Sequence, residues 1–140
     1  MTTLAYANRC LAADSLVTCG GKFEGYVTKI FRVNGLLVGA SGSASVCIRF
    51  CEWVRAGLKG ECPFEGKDEG NGLVVMPDGL IVVWGHFGPW PVRGRSTYAL
   101  GSGQEFALGA LELGATAAQA VAVAMKHDTG TGGEIVTLRH

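Results

Sequence analysis

Hydrophobic positions along this chain fall into short runs broken by polar or glycine pairs, and into a few longer stretches with a helical repeat. Thr3–Ala7 and Cys10–Ala13 flank Asn8-Arg9, which predicts a tight hairpin. Lys29–Val33 and Leu36–Ala40 flank Asn34-Gly35, the pair that best supplies the positive φ angles of a type I′ turn. The Leu36–Ala40 run is apolar at successive positions, so both faces of that strand should be covered. From Ala44 to Leu58 the residues Cys47, Phe50, Cys51, Val54 and Leu58 form one apolar stripe, predicting a helix that ends near Gly57. Lys59–Asn71, rich in Gly and charge with Pro63 inside, reads as a surface loop. Leu73–Met76 and Leu80–Trp84 around Pro77-Asp78-Gly79 make a third hairpin, Gly85–Arg95 reads as irregular, and Ser96–Leu100 returns as a strand. Gln104–Gly114 is a helix closed by Gly114, and Thr116-Ala117-Ala118-Gln119 has the capping-box spacing that opens a second helix to Lys126. Gly133–Leu138 is the last strand. The predicted order, four strands, a helix, three strands, two helices and a strand, favours hairpins over crossovers and gives an α+β fold of two stacked antiparallel sheets between helical layers.

Composition narrows the function classes. A chain of 140 residues is sized for a single domain. Twelve Lys+Arg balance twelve Asp+Glu, and charged residues are only 17% of the total, so no basic field exists to hold nucleic acid or an anionic membrane. Arg49, Glu52, Glu105 and Glu112 interrupt the apolar stretches before the roughly 20 residues a membrane span needs. Between Met1 and Ser15 the one cationic side chain, Arg9, follows rather than precedes the apolar residues, which does not fit a secretory signal. Five cysteines without a C-x-x-C pair read as free thiols in a reducing compartment, which points to the cytoplasm.

The chemistry begins at Thr2. A Met followed by a small residue is a substrate for methionine removal, which would leave Thr2 with a free α-amine beside its hydroxyl. That amine, with a reference pKa of roughly 7.7–8.0, can serve as the hydroxyl's general base. If Met1 persists, the Thr2 nitrogen is an amide and accepts no proton. A rival nucleophile is Ser41, because Gly39-Ala40-Ser41-Gly42-Ser43 misses the G-x-S-x-G elbow only at its last position; the chain is short for that fold and lacks a well-placed Asp and His after the serine. Cys47 and Cys51 stand one helical turn apart, but they lie on the apolar stripe and read as core rather than as metal ligands. No cofactor is called for.

Taken in order and spacing, Thr2-Thr3-Leu4, Leu11-Ala12-Ala13-Asp14-Ser15, Val27-Thr28-Lys29-Ile30, Gly39–Ala44, Leu100-Gly101-Ser102-Gly103 and Asp128-Thr129-Gly130-Thr131-Gly132-Gly133 resemble the proteasome β-subunit family of N-terminal nucleophile hydrolases, and within it the bacterial HslV-type peptidase. The resemblance spans nearly the whole chain. It implies a four-layer α-β-β-α sandwich and a threonine peptidase acting on unfolded proteins or peptides. It assigns Thr2 as nucleophile, Lys29 as the cation beside it, Asp14 as the carboxylate holding Lys29, and the Gly42 amide as oxyanion donor. Ser102 and Asp128 would orient the amine, with Thr131 in place of a customary serine. It also implies a homo-oligomeric ring or double ring, joined through the helices of Gln104–Lys126, and a ring-shaped ATP-dependent unfoldase as partner. Ser41 and Ser43 depart from the family's alanine and glycine, and Lys59–Asn71 stands where the family places a further helix, so one helical layer should be reduced. A relative that keeps the fold only as a non-catalytic assembly or binding subunit is the alternative.

Overall fold

Two antiparallel sheets lie face to face in the computed structural model, which describes residues 2–66 and 70–140. The first sheet contains β1 (Thr3–Ala7), β2 (Cys10–Ala13), β10 (Tyr98–Gly101) and β11 (Val136–Arg139), in the order β10-β1-β2-β11. The second runs β5-β6-β7-β8-β9, from Ile30–Val33, Leu36–Gly42, Gly70–Val75, Ile81–Gly85 and Gly88–Val92. β1 explains the stacking from its own sequence. Leu4 and Tyr6 point to the second sheet and pack with Ile30, Leu37, Leu73 and Val83, whereas Ala5 and Ala7 point the other way. Those small side chains admit α2 (Gln104–Glu112) and α3 (Ala117–His127), whose Ala107, Ala117, Ala120 and Val121 close the third layer. Among the described residues α1 (Ala44–Arg55) is the one helix on the outer face of the five-stranded sheet, where Phe50 packs against Phe64, Trp53 and Trp84. The fold is therefore the expected α+β sandwich, with a single helix on its α1 side among the described residues. No helix among the described residues is long and apolar enough to cross a membrane.

Local signals in the sequence act as anticipated. Asn8 and Arg9 both take positive φ, as do Asn34 and Gly35, which gives both hairpins the twist their strands require. Leu37, Val38 and Ala40 are all buried, so β6 is covered on both faces. The Thr116 hydroxyl accepts from the Gln119 N–H while the Gln119 side chain accepts from the Thr116 N–H, completing the capping box.

Three expectations need correction. Leu16–Cys19 and Lys22–Tyr26 form a separate two-stranded sheet, β3 and β4, turned by Gly20-Gly21. Its residues are mostly exposed and offer no alternating buried face, so the apolar pattern is silent there. Gly88–Val92, expected to be irregular, is a strand: Pro89 and Pro91 sit at alternate positions of an edge, where both missing N–H groups fall on the unpaired side. In the Lys59–Asn71 segment Cys62 and Phe64 are buried against the α1 layer, so this connection is tucked in as well as exposed; residues 67–69 of it, like Met1, lie outside the described residues.

Candidate active site

The start of β1 is a central position. It pairs with β10 on one side, Thr3 opposite Gly101, and with β2 on the other, Leu4 opposite Ala13. This register places Thr2 and Thr3 between the loop after β10 and the residue that ends β2, Asp14. Asp14 is 0% exposed, and its two oxygens are filled: Oδ1 accepts from the Thr3 N–H at 3.0 Å and from Lys29 Nζ at 2.9 Å, and Oδ2 from the Gly132 N–H at 3.0 Å. A buried carboxylate with three donors, one of them cationic, is the arrangement that keeps a charge ionised inside a protein. Lys29 sits just ahead of β5 with a side chain 7% exposed. Burial lowers its pKa from the usual 10.5, and the Asp14 carboxylate opposes that fall.

A second network reaches the Thr2 backbone itself. The Thr2 N–H donates to Ser102 Oγ at 3.3 Å, Ser102 Oγ donates to Asp128 Oδ2 at 2.6 Å, and Thr131 Oγ1 donates to the same oxygen at 2.5 Å. Asp128 is the C-cap of α3, so the helix end fixes its backbone while the Gly130 N–H donates to its Oδ1 at 3.2 Å. The glycines around Ser102 are required by contact. A Cβ on Gly101 would lie 2.0 Å from the Thr2 carbonyl oxygen, and one on Gly103 would lie 2.1 Å from Thr3 Oγ1. Burial works against the Asp128 charge, but the hydrogen bonds from Ser102, Thr131 and Gly130 outweigh it and hold the carboxyl below its ordinary 3.8. Because that pKa is depressed in the folded state, its contribution to stability is complete above 3.8 and is lost as pH falls through the folded value. Asp128→Asn is therefore expected to be less stable than the parent at neutral pH, with the gap closing below pH 3.8, as read from denaturation midpoints across a pH series.

A cavity of about 480 Å³ opens beside Thr2. Thr2, Lys29 and Gly42 line it, its walls come from β3, the end of β6 and α1, and Leu16, Val27, Phe31, Cys47, Ile48 and Cys51 make it largely apolar. Burial pushes the Cys47 and Cys51 thiols up to about 11, so both remain protonated and act as apolar wall. Glu52 and Arg55 supply the charged side chains of the α1 wall. Gly42 ends β6 at φ 131°, and the first turn of α1 begins two residues later, so the N-terminal end of that helix faces this space.

The structure thus brings Thr2, Asp14, Lys29, Ser102, Asp128 and Thr131 into two connected networks and puts Gly42 on the neighbouring cavity wall. Ser41 is 8% exposed within β6 and is not among the cavity-lining residues. The ring of His127 stacks on Phe106, away from these networks. Two participants escaped the sequence reading: Gly132, which acts through its backbone N–H, and Thr3, whose Oγ1 lies 2.7 Å from Thr131 Oγ1. For Thr3 the available signal was the doubled threonine after Met1.

No family model matches the chain, and no curated protein matches it by sequence. Solved structures do match. Eukaryotic HslV from Trypanosoma brucei is similar with a TM-score of 0.74 at 16% identity, covering 99% of this chain and 99% of that one. BPH from Thiobacillus denitrificans in complex with epoxomicin is similar with a TM-score of 0.69 at 22% identity, covering 98% of this chain and 96% of its own. The same BPH described without epoxomicin gives 0.67 at 23% identity over 98% and 95%. The chain has the fold of the HslV-type, proteasome-like proteins.

Proposed function

From this fold and the two networks around its first strand, we propose that the chain is a threonine peptidase of the proteasome-like class, active once Met1 is removed. One observation carries the reading: the Ser102–Asp128–Thr131 network reaches the Thr2 N–H, the buried Asp14–Lys29 pair holds the neighbouring Thr3 N–H, and Thr2 and Lys29 line the same cavity. The Thr2 hydroxyl attacks a peptide carbonyl while the α-amine takes its proton. The Lys29 ammonium disfavours a second positive charge nearby, which keeps the amine neutral near physiological pH, and Asp14 keeps Lys29 charged against burial. The Gly42 N–H, at the N-terminal end of α1, stabilises the oxyanion. The amine then returns the proton to the leaving nitrogen, and water releases the acyl group from Thr2. The cavity takes an apolar side chain of an extended peptide, so the substrates are peptides or unfolded proteins.

Assembly belongs to the same reading. α2 presents Phe106, 41% exposed, and its C-cap Leu113, 91% exposed, at the surface beside α3. We place that surface between copies of the chain in a ring or double ring, located in the cytoplasm and fed by a ring-shaped ATP-dependent unfoldase.

The test starts with the intact mass, which reports Met1 removal. Processed protein is then given apolar fluorogenic peptides and epoxomicin, the compound bound in the T. denitrificans structure. Hydrolysis together with a covalent adduct mapped to Thr2 is the expected result. Processed protein that is inert and unlabelled would sink the reading in favour of a non-catalytic assembly subunit.

A further inference from the structure

We propose that Thr3, the residue after the nucleophile, is a positioning residue whose hydroxyl starts a donor relay through Thr131 to Asp128, the carboxylate on which the donor chain from the Thr2 nitrogen through Ser102 also ends; its catalytic consequence rests on the peptidase reading above. The direction follows from proton counting. A carboxylate only accepts, so the single hydroxyl proton of Thr131 goes to Asp128 Oδ2 at 2.5 Å. The Thr131 oxygen must then accept from Thr3, whose Oγ1 stands 2.7 Å away. Ser102 resolves likewise. Its proton lies on the 2.6 Å bond to Asp128 rather than the 3.3 Å approach to the Thr2 carbonyl, which leaves its oxygen to accept from the Thr2 N–H. After Met1 removal the same acceptor holds an amine proton on the Ser102 side and turns the nitrogen lone pair away from it.

Thr3 ties together both carboxylates at the site. Its N–H is held by Asp14 Oδ1, and its hydroxyl reaches Asp128 through Thr131, with the residue itself 0% exposed. The space around the hydroxyl is filled, since even a methyl group on Gly103 would come within 2.1 Å of it. The charged groups facing this relay are Asp14 from the end of β2, Lys29 through Asp14, Asp128 from the end of α3, and the N-terminal amine, which acts on Asp128; the neighbouring His127 is turned onto Phe106. Thr3→Val puts a methyl where 2.7 Å to the Thr131 oxygen is too close for carbon, so Thr131 is pushed off Asp128. Thr3→Ser keeps the donor.

The experiment compares processed parent, Thr3→Val and Thr3→Ser by kcat and KM against pH, and by ¹³C NMR titration of the Asp128 carboxylate. In Thr3→Val we expect kcat to fall by roughly tenfold with KM unchanged. The Asp128 carboxylate should titrate at higher pH, the acid limb of kcat should move the same way, and Thr3→Ser should restore all three. Parental kcat and parental Asp128 titration in Thr3→Val, or a Thr3→Ser as impaired as Thr3→Val, overturns the relay. If Thr3→Val does not fold, Thr3→Ala removes the donor without the added methyl; a fall in kcat that Thr3→Ser restores is then the expected result, and parental kcat overturns the relay. If the parent hydrolyses nothing, the failure belongs to the peptidase reading, and the Asp128 titration alone decides the role of Thr3.

Discussion

Thr2→Ala, confirmed by mass to have lost Met1, is expected to lose peptide hydrolysis by roughly 10³-fold or more while keeping the parent's unfolding transition. Thr2 reaches its neighbours through the backbone: its N–H donates to Ser102 and its carbonyl packs on Gly101, contacts that alanine retains. On the peptidase reading, the hydroxyl is the part that the chemistry needs. Ser41→Ala serves as the counter-test, since Ser41 is buried in β6 outside the cavity wall and should cost little turnover. If Ser41→Ala is instead the inactive variant and Thr2→Ala survives, the nucleophile has been misassigned. Thr2→Ser, which keeps both hydroxyl and amine, should retain part of the rate.

Lys29→Ala should be nearly as damaging to activity, and unlike Thr2→Ala it should also weaken the fold. Asp14 is fully buried and Lys29 is its ionic partner at 2.9 Å. Removing one member of a buried pair leaves an uncompensated charge, at a cost of about 3–5 kcal/mol. The Thr3 and Gly132 N–H groups still hold the carboxylate, which puts the expected loss near the lower end of that range, about 3 kcal/mol. Turnover should fall by roughly 10³-fold because the Thr2 amine then holds its proton and no longer serves as base. The double variant Asp14→Ala with Lys29→Ala separates the two effects. It should recover part of the stability, since no charge is left buried, and none of the activity. Denaturant midpoints and kcat on the same preparations decide it; a double variant that recovers activity would remove Lys29 from the chemistry.

What the sequence made legible, and what it hid, divides along physical lines. The strands β1, β2 and β5–β8 were readable because their turns carry Asn-Arg, Asn-Gly and Pro-Asp-Gly between apolar runs, and the three helices because their apolar stripes face a sheet. Thr2, Asp14 and Lys29 could be named because ordered spacing recognised them, although nothing local marks Asp14 as buried. The hidden parts are those whose signal is not a hydrophobic pattern. β3 walls the cavity and pairs with β4 without either burying a face, and their one cue was the Gly20-Gly21 turn. β9 was masked by the prolines that its edge position tolerates. Gly132 contributes a backbone N–H, which leaves no trace in side-chain chemistry.

The hydrogen bonds around Thr2 also set a timetable. The Ser102 contact closes a loop of 100 residues, Gly132 to Asp14 closes 118, and Thr3 to Thr131 closes 128. Contacts this distant in sequence form late, because the entropy of closing such loops is lost before any of them is rewarded. The hairpins and helices can appear while the chain is still incomplete, but Asp14 and Asp128 gain their full set of hydrogen-bond partners only when the segment 128–132 has docked. A refolding chain should therefore recover its secondary structure before it can cut anything. On the peptidase reading, competence to cleave becomes a readout of finished folding, and a half-made copy is harmless to the chains around it.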